Sequence, residues 1–213
     1  MEKRTPERYG LWLLQNKREI KPGIPGEDTV DRWIRPHLSK GKRGFKPRVS
    51  GDAVGYQGRK ACKTTNSLFL CDNTGQMVAV STTQPGEHND LYDIEILLDE
   101  LTGVLELAGI DIKGLFLNAG PGFDSDTFRK ICSEKEMEVN IKENPGNKKR
   151  DKGGLQFKYF DEELYKRRFK IEHANAWMDA FKALLVRFET KLNNWMALQW
   201  MALIAMFCRK LKV

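Results

Sequence analysis

Cysteine and histidine are scarce in this chain of 213 residues, with four of the first and three of the second. Cys62, Cys71, Cys132 and Cys208 form no C-x-x-C pair, and no histidine stands at ligand spacing from them. That spacing excludes the usual zinc sites. Few, scattered cysteines also point to reduced thiols in a cytosolic protein rather than a disulfide framework. The longest apolar run, Trp195 to Cys208, is broken by Gln199 and falls short of the ~20 residues of a membrane span. It is expected to be a buried core helix, with no membrane partner. The opening MEKRTPERYG has no apolar leader core, so secretion is not indicated and a cytoplasmic site of action is expected.

What is present is a globular composition, 40% hydrophobic and 31% charged, with a formal net charge of +7. Residues 1–50 hold 13 Lys and Arg against 6 Asp and Glu, whereas residues 51–213 hold 23 of each sign. The whole excess sits in the first segment. A basic end on a neutral body fits a polyanion partner, nucleic acid above all, and equally a solvated charged face. Two domains are expected. Residues 1–50 read as a basic arm with short helices and a candidate DNA-binding role; residues 51–213 read as the folded body. Within the arm, Leu11 to Leu14 suggest one short helix inside 1–20. Val30, Trp33 and Ile34 suggest another, ended by Pro36. KGKRGFKPR, residues 40–48, reads as a flexible stretch.

The body is more regular. NSLFLC (66–71) and QMVAVS (76–81) are strand-like and flank the turn signal Asp72-Asn73-Thr74-Gly75, which predicts a hairpin. Leu91, Ile94, Leu97, Leu98, Leu101, Val104, Leu105 and Ala108 follow helical spacing, with Asp90 as a start and Gly109 as a stop. A strand is expected at 114–119, a helix at 124–135 and a strand at 137–141. NPGNKKRDKGG (144–154) reads as a polar, basic loop, and helices over about 161–190, with or without a break, and 193–211 close the chain. This order predicts an α/β fold, a mixed sheet flanked by helices.

YKRRFKIEHANAWMDAF, residues 165–181, carries the chemistry. Tyr165, Arg168 and Glu172 stand three and four residues apart, so a helix places them on one face. Trp177, Phe181, Leu184, Leu185 and Phe188 mark a separate apolar face. A carboxylate on the polar face can hold a divalent metal, and Arg168 and Tyr165 can contact phosphate. The same spacing also suits a plain Arg168–Glu172 surface ion pair.

These residues resemble the DDE transposases of bacterial insertion sequences, whose signature is Tyr, two residues, Arg, three residues, Glu. GYQGRK (55–60), GEHNDLYDIE (86–95), GLFLNA with GFDS (114–119 and 122–125), YFDEELYKRRF (159–169) and AWMDAFKALLVRFE (176–189) are similar too. So is the head, WIRPHLSKGKRGFKPR (33–48). The resemblance implies a ribonuclease-H-like sheet, which opens with three antiparallel strands, and DNA as partner. It implies strand cleavage and transfer with two Mg²⁺ or Mn²⁺ ions held by two Asp and one Glu. A two-metal site needs several converging carboxylates. Glu172 matches the family's catalytic, metal-binding Glu. Tyr165, Arg167, Arg168, Lys148, Lys149 and Arg150 become candidate DNA and phosphate contacts. Homo-oligomer formation is compatible with this assignment.

The chain departs from the family at the other two ligands. The second Asp ends a strand just before Gly-Phe-Asp, and Gly120 stands there. The first Asp lies on the first strand in an Asp-Gly-Thr setting, which this sequence lacks. KPRVS (46–50) runs directly into GDAVGYQGRK (51–60), as if an internal deletion had removed that strand; only two of the three opening strands are legible. Asp179 occupies the place seven residues after Glu172 where the family often has a cation; the nearest lysine is Lys182. Among carboxylates that could substitute, Asp72 suits a turn and Asp124 an N-cap. Asp90 suits a helix cap, and Asp52 resembles nothing catalytic. The expected outcome is a catalytically defective transposase; the alternative is a non-enzymatic DNA-binding remnant or regulator of transposition.

Overall fold

The computed structural model describes residues 10–20, 51–58, 61–147 and 159–211. Its centre is a mixed sheet containing β1 (Gly10–Ile20), β2 (Gly55–Gln57), β3 (Cys62–Asp72), β6 (Phe116–Ala119) and β7 (Glu138–Ile141). Their order is β2-β3-β1-β6-β7. Short strands β4 (Met77–Val80) and β5 (Gln84–Pro85) pair with β3, and β8 (Val186–Arg187) pairs with β1.

The expected hairpin is β3–β4. Asp72 Oδ1 accepts the Thr74 and Gln76 backbone N–H groups at 2.8 Å, and Gly75 supplies the left-handed residue at φ 85°. Asp72 therefore has the turn role expected of it. Residues 64–71 of β3 are buried on both faces. Leu68 and Leu70 point to one layer and Phe69 and Cys71 to the other, as strand alternation requires.

The first layer holds α1 (Ile94–Leu107) and α2 (Asp126–Glu134). Ile94, Leu97, Leu98, Leu101 and Leu105 bury the α1 stripe, and Gly109 at φ 76° ends it as expected. Asp90 does not cap α1. Its N-cap residue is Asp93, whose side chain makes no cap bond, and Asp90 packs instead beside Gly122. The second layer holds α3 (Glu162–Lys166), α4 (Phe169–Asp179), α5 (Lys182–Leu185) and α6 (Leu192–Leu211). Trp195, Ala202, Leu203 and Met206 bury one face of α6, which makes it the expected core helix. No helix among the described residues is long and apolar enough to cross a membrane.

Two expectations are corrected. Residues 10–20 form no helix. They are the central strand, antiparallel to β3 and parallel to β6. β1, β3 and β4 thus supply three antiparallel strands, the third of them coming from the head of the sequence. This segment also belongs to the body and not to a separate arm ending at residue 50. The reason is that Leu11 to Leu14 form an unbroken apolar run. A strand covered on both sides produces the same pattern as a short buried helix. The second correction concerns 161–190, which is three short helices and a strand. The expected apolar face is therefore split, and Trp177 and Phe188 are 49% and 43% exposed. Ile171, Ala174 and Met178 form the buried face of α4. The short helix expected near Val30 and the stretch 40–48 lie outside the described residues.

All four cysteines are free thiols. Burial pushes Cys71 and Cys132 up to about 12, so these two are inert at neutral pH.

Candidate functional site

The segment after β6 is built on polar contacts. β6 ends at Ala119, and Gly120 enters the short 3₁₀ turn Pro121–Phe123 with φ −73° and ψ 171°. Those angles are extended backbone, open to any residue. A Cβ placed on Gly120 would meet nothing within 4 Å. Position 120, where the resemblance implies a carboxylate, therefore has both the backbone and the room for one.

Asp124 is not the N-cap of α2. Ser125 is, its hydroxyl accepting the Phe128 N–H. Asp124 is buried, pairs with buried Arg129 at 3.0 Å, and accepts the Asn144 N–H at 2.8 Å. The same Arg129 nitrogen donates to the Ile141 carbonyl at 3.1 Å. Asp124 thereby ties the post-β6 turn to the end of β7, which leaves it unavailable as a metal ligand. Asp52 accepts the Leu192 N–H, the first residue of α6, at 3.2 Å. Buried Arg187 donates to the Asp52 carbonyl at 2.9 Å and fastens the same junction.

Tyr165, Arg168 and Glu172 do come together, although a helix break runs between them. Tyr165 lies on α3, Arg168 is the N-cap residue of α4, and Glu172 is in the first turn of α4. Arg168 donates to the Tyr165 hydroxyl at 3.2 Å and pairs with Glu172 at 2.9 Å. Tyr165 first, and Glu172 after it, hold the Arg168 pKa above its ordinary value. Tyr165 is buried, while Arg168 and Glu172 are about half exposed. Arg167 is exposed at the end of α3. Lys148, Lys149 and Arg150 lie outside the described residues. An exposed ion pair of this kind contributes little, so Glu172→Gln is expected to change unfolding stability by under about 0.5 kcal/mol in a denaturant titration.

The Lys170 carbonyl of α4 lies 3.5 Å from a Cβ built on Gly75, in the β3–β4 turn. Gly120 lies three residues beyond Leu117, which is level with Leu11 and, through it, with Asp72. No group of three His, Cys, Asp or Glu residues able to hold a metal exists among the described residues.

Sequence reading missed the polar lock that positions α3. Asn140 donates to Asn118 at 2.9 Å and to the Asp161 carbonyl at 3.0 Å, and Asp161 N–H donates back to Asn140 at 2.8 Å. Asp161 in turn caps α3 through Leu164 N–H. Asn118 and Asn140 are strand partners and both buried. The available signal was an asparagine inside each of two apolar runs, LFLNA and MEVNI. Lys142, 5.7 Å from the Tyr165 ring centre, was also missed.

The sequence matches the transposase DDE domain family over residues 30–207. The chain belongs to that family. No curated protein matches it in sequence. Among solved structures it is similar to the piggyBac transposase synaptic complex with hairpin DNA, at 11% identity and a TM-score of 0.50. That match covers 94% of this chain and 45% of the other. It is also similar to the Mos1 transposase paired-end complex with left transposon end, at 12% identity, 94% and 52% coverage and a TM-score of 0.41. The piggyBac likeness shows the shared fold alone. The chain spans about half the length of these transposases. β1 precedes the family-matched range, so the central strand of this family member comes from outside it. The chemistry of this family depends on divalent metal, and the described residues bring no three His, Cys, Asp or Glu side chains together to hold one.

Proposed function

We propose that this chain is a transposase derivative that binds DNA and does not carry out strand cleavage and transfer. The observation that carries the reading is Gly120 at the carboxyl end of β6, where strand ends of an α/β sheet place their ligands. Two-metal phosphoryl transfer needs converging carboxylates, and one exposed Glu engaged with Arg168 cannot replace them. DNA binding rests on the cations. The basic excess of residues 1–50, together with Lys148, Lys149, Arg150, Arg167 and Arg168, supplies sequence-independent phosphate contacts. Such a chain would act as a DNA-binding regulator of transposition.

The test is an assay on duplex DNA taken from the flanks of the coding region, with Mg²⁺ or Mn²⁺. The expected result is a salt-sensitive mobility shift without nicked or joined product. Metal-dependent cleavage that Glu172→Gln abolishes would overturn the reading. Gly120→Asp is expected to fold with stability within about 0.5 kcal/mol of the parent, because the site is open and the backbone permissive. It is also expected to remain inactive, since the first-strand carboxylate is still missing. Thermal melting and the same cleavage assay check both halves.

A further inference from the structure

The β3–β4 turn, α4 and the last turn of α6 enclose a cavity of about 330 Å³. Trp177 of α4 forms one wall, 49% exposed, with Met206 and buried Gln76 beneath it. The Arg209 guanidinium lies over the Trp177 ring, 4.5 Å from its centre. Lys210 reaches the Thr74 hydroxyl at the rim. Neither Arg209 nor Lys210 has a carboxylate partner among the described residues. The carboxylate beside them, Asp72, is engaged by the Thr74 and Gln76 N–H groups and the Thr74 hydroxyl. Gly75, with no side chain, leaves the rim open.

Two cations with no direct carboxylate partner among the described residues, next to a half-exposed indole, suit a ligand that is anionic at one end and flat at the other. A planar ring can stack on the indole or on the guanidinium, both π surfaces, while a phosphodiester takes the Arg209 and Lys210 donors. The volume suits one such unit, at the small end of ligand cavities. A stacked base pair with two backbones does not enter it. The geometry points to a site for one unpaired nucleotide, a base on the Trp177–Arg209 stack with its phosphate at Lys210. This rests on the DNA-binding reading above and adds a preference for single-stranded or frayed DNA. The cavity lies at the β3–β4 turn end of the sheet, apart from Gly120.

The experiment measures fluorescence anisotropy of a labelled 12-nucleotide dT strand, the same strand with abasic sites at its centre, and a blunt 12-base-pair duplex. The full chain and its Trp177→Ala, Trp177→Phe and Arg209→Gln variants are compared at one salt concentration. Trp177→Ala is expected to weaken dT binding about tenfold, the worth of one base–aromatic stack, with Trp177→Phe within about twofold of the parent. Abasic substitution should weaken the parent and leave Trp177→Ala unmoved. Arg209→Gln should also lose dT affinity. Duplex affinity should be the same for parent and Trp177→Ala. Unchanged dT binding by Trp177→Ala, or an equal loss on duplex, overturns the site while DNA binding stands. Failure of the parent to bind either DNA overturns both. Circular dichroism melts confirm that each variant is folded.

Discussion

A chain that begins at residue 21 is expected to have no cooperative thermal transition. Among the described residues β1 alone joins β3 to β6 in the order of the sheet, and its removal separates the two halves. Nine residues of β1 pair with β3, and four with β6. Removal would uncover the inner edges of both neighbours, together with the buried side chains of β3 and β6 that flank the gap. Bare inner edges also template association between copies. Total stability of a domain is only about 5–15 kcal/mol, and loss of a central strand exceeds it. Leu13→Pro offers a gentler form of the same test. Leu13 is the Cα partner of both Leu70 and Ala119, and proline there removes a donor from the middle of a ladder. A cooperative melt near that of the parent, in either variant, would show that residues 10–20 are not in the sheet. The result matters beyond stability, because it would make a segment outside the family-matched range indispensable to a family domain.

Asp124→Ala is expected to cost about 3–5 kcal/mol, the loss typical of breaking a buried pair and leaving one charge behind. Arg129 would keep its Ile141 carbonyl contact and lose its one carboxylate partner among the described residues. The Asn144 N–H would lose its acceptor as well. Asp124→Ala combined with Arg129→Leu should recover part of the loss, since the stranded charge is then gone. Urea titrations of the two single variants and the double variant measure this. A cost below about 1 kcal/mol for Asp124→Ala would mean that the pair is not buried in solution. Because Asp124 holds the turn that contains Gly120, the single variant should also raise hydrogen exchange across 120–125.

Much of the body could be read from its residues. The β3–β4 hairpin followed from Asp-Asn-Thr-Gly between apolar runs. α1 followed from eight apolar positions at helical spacing, and the start of α2 from its polar approach. Each of these is local chemistry, visible within a dozen residues. β1 was illegible because every one of its strand partners lies more than 40 residues away, and nothing in GLWLLQNKREI states that a gap awaits it. β2, β5 and β8 are too short to show alternation. At the site, the closeness of Tyr165, Arg168 and Glu172 was legible from their spacing. The roles of Asp124 and Ser125 were exchanged, since both suit a cap and only tertiary structure supplies Arg129. The asparagine lock under α3 required knowing that β6 and β7 are neighbours.

The place of β1 has a consequence for the order of synthesis. The strand leaves the ribosome first, β3 follows about 50 residues later and β6 about 100 residues later. At roughly 5–20 residues per second, β1 waits several seconds for its first neighbour and longer for its second. The antiparallel β1–β3 pair can form early, yet its other edge stays bare until β6 arrives. Val186 and Arg187, which pair with the far end of β1, emerge later still. Slow translation therefore prolongs a half-built sheet, and the yield of this protein should depend on elongation rate and on chaperones that cover strand edges.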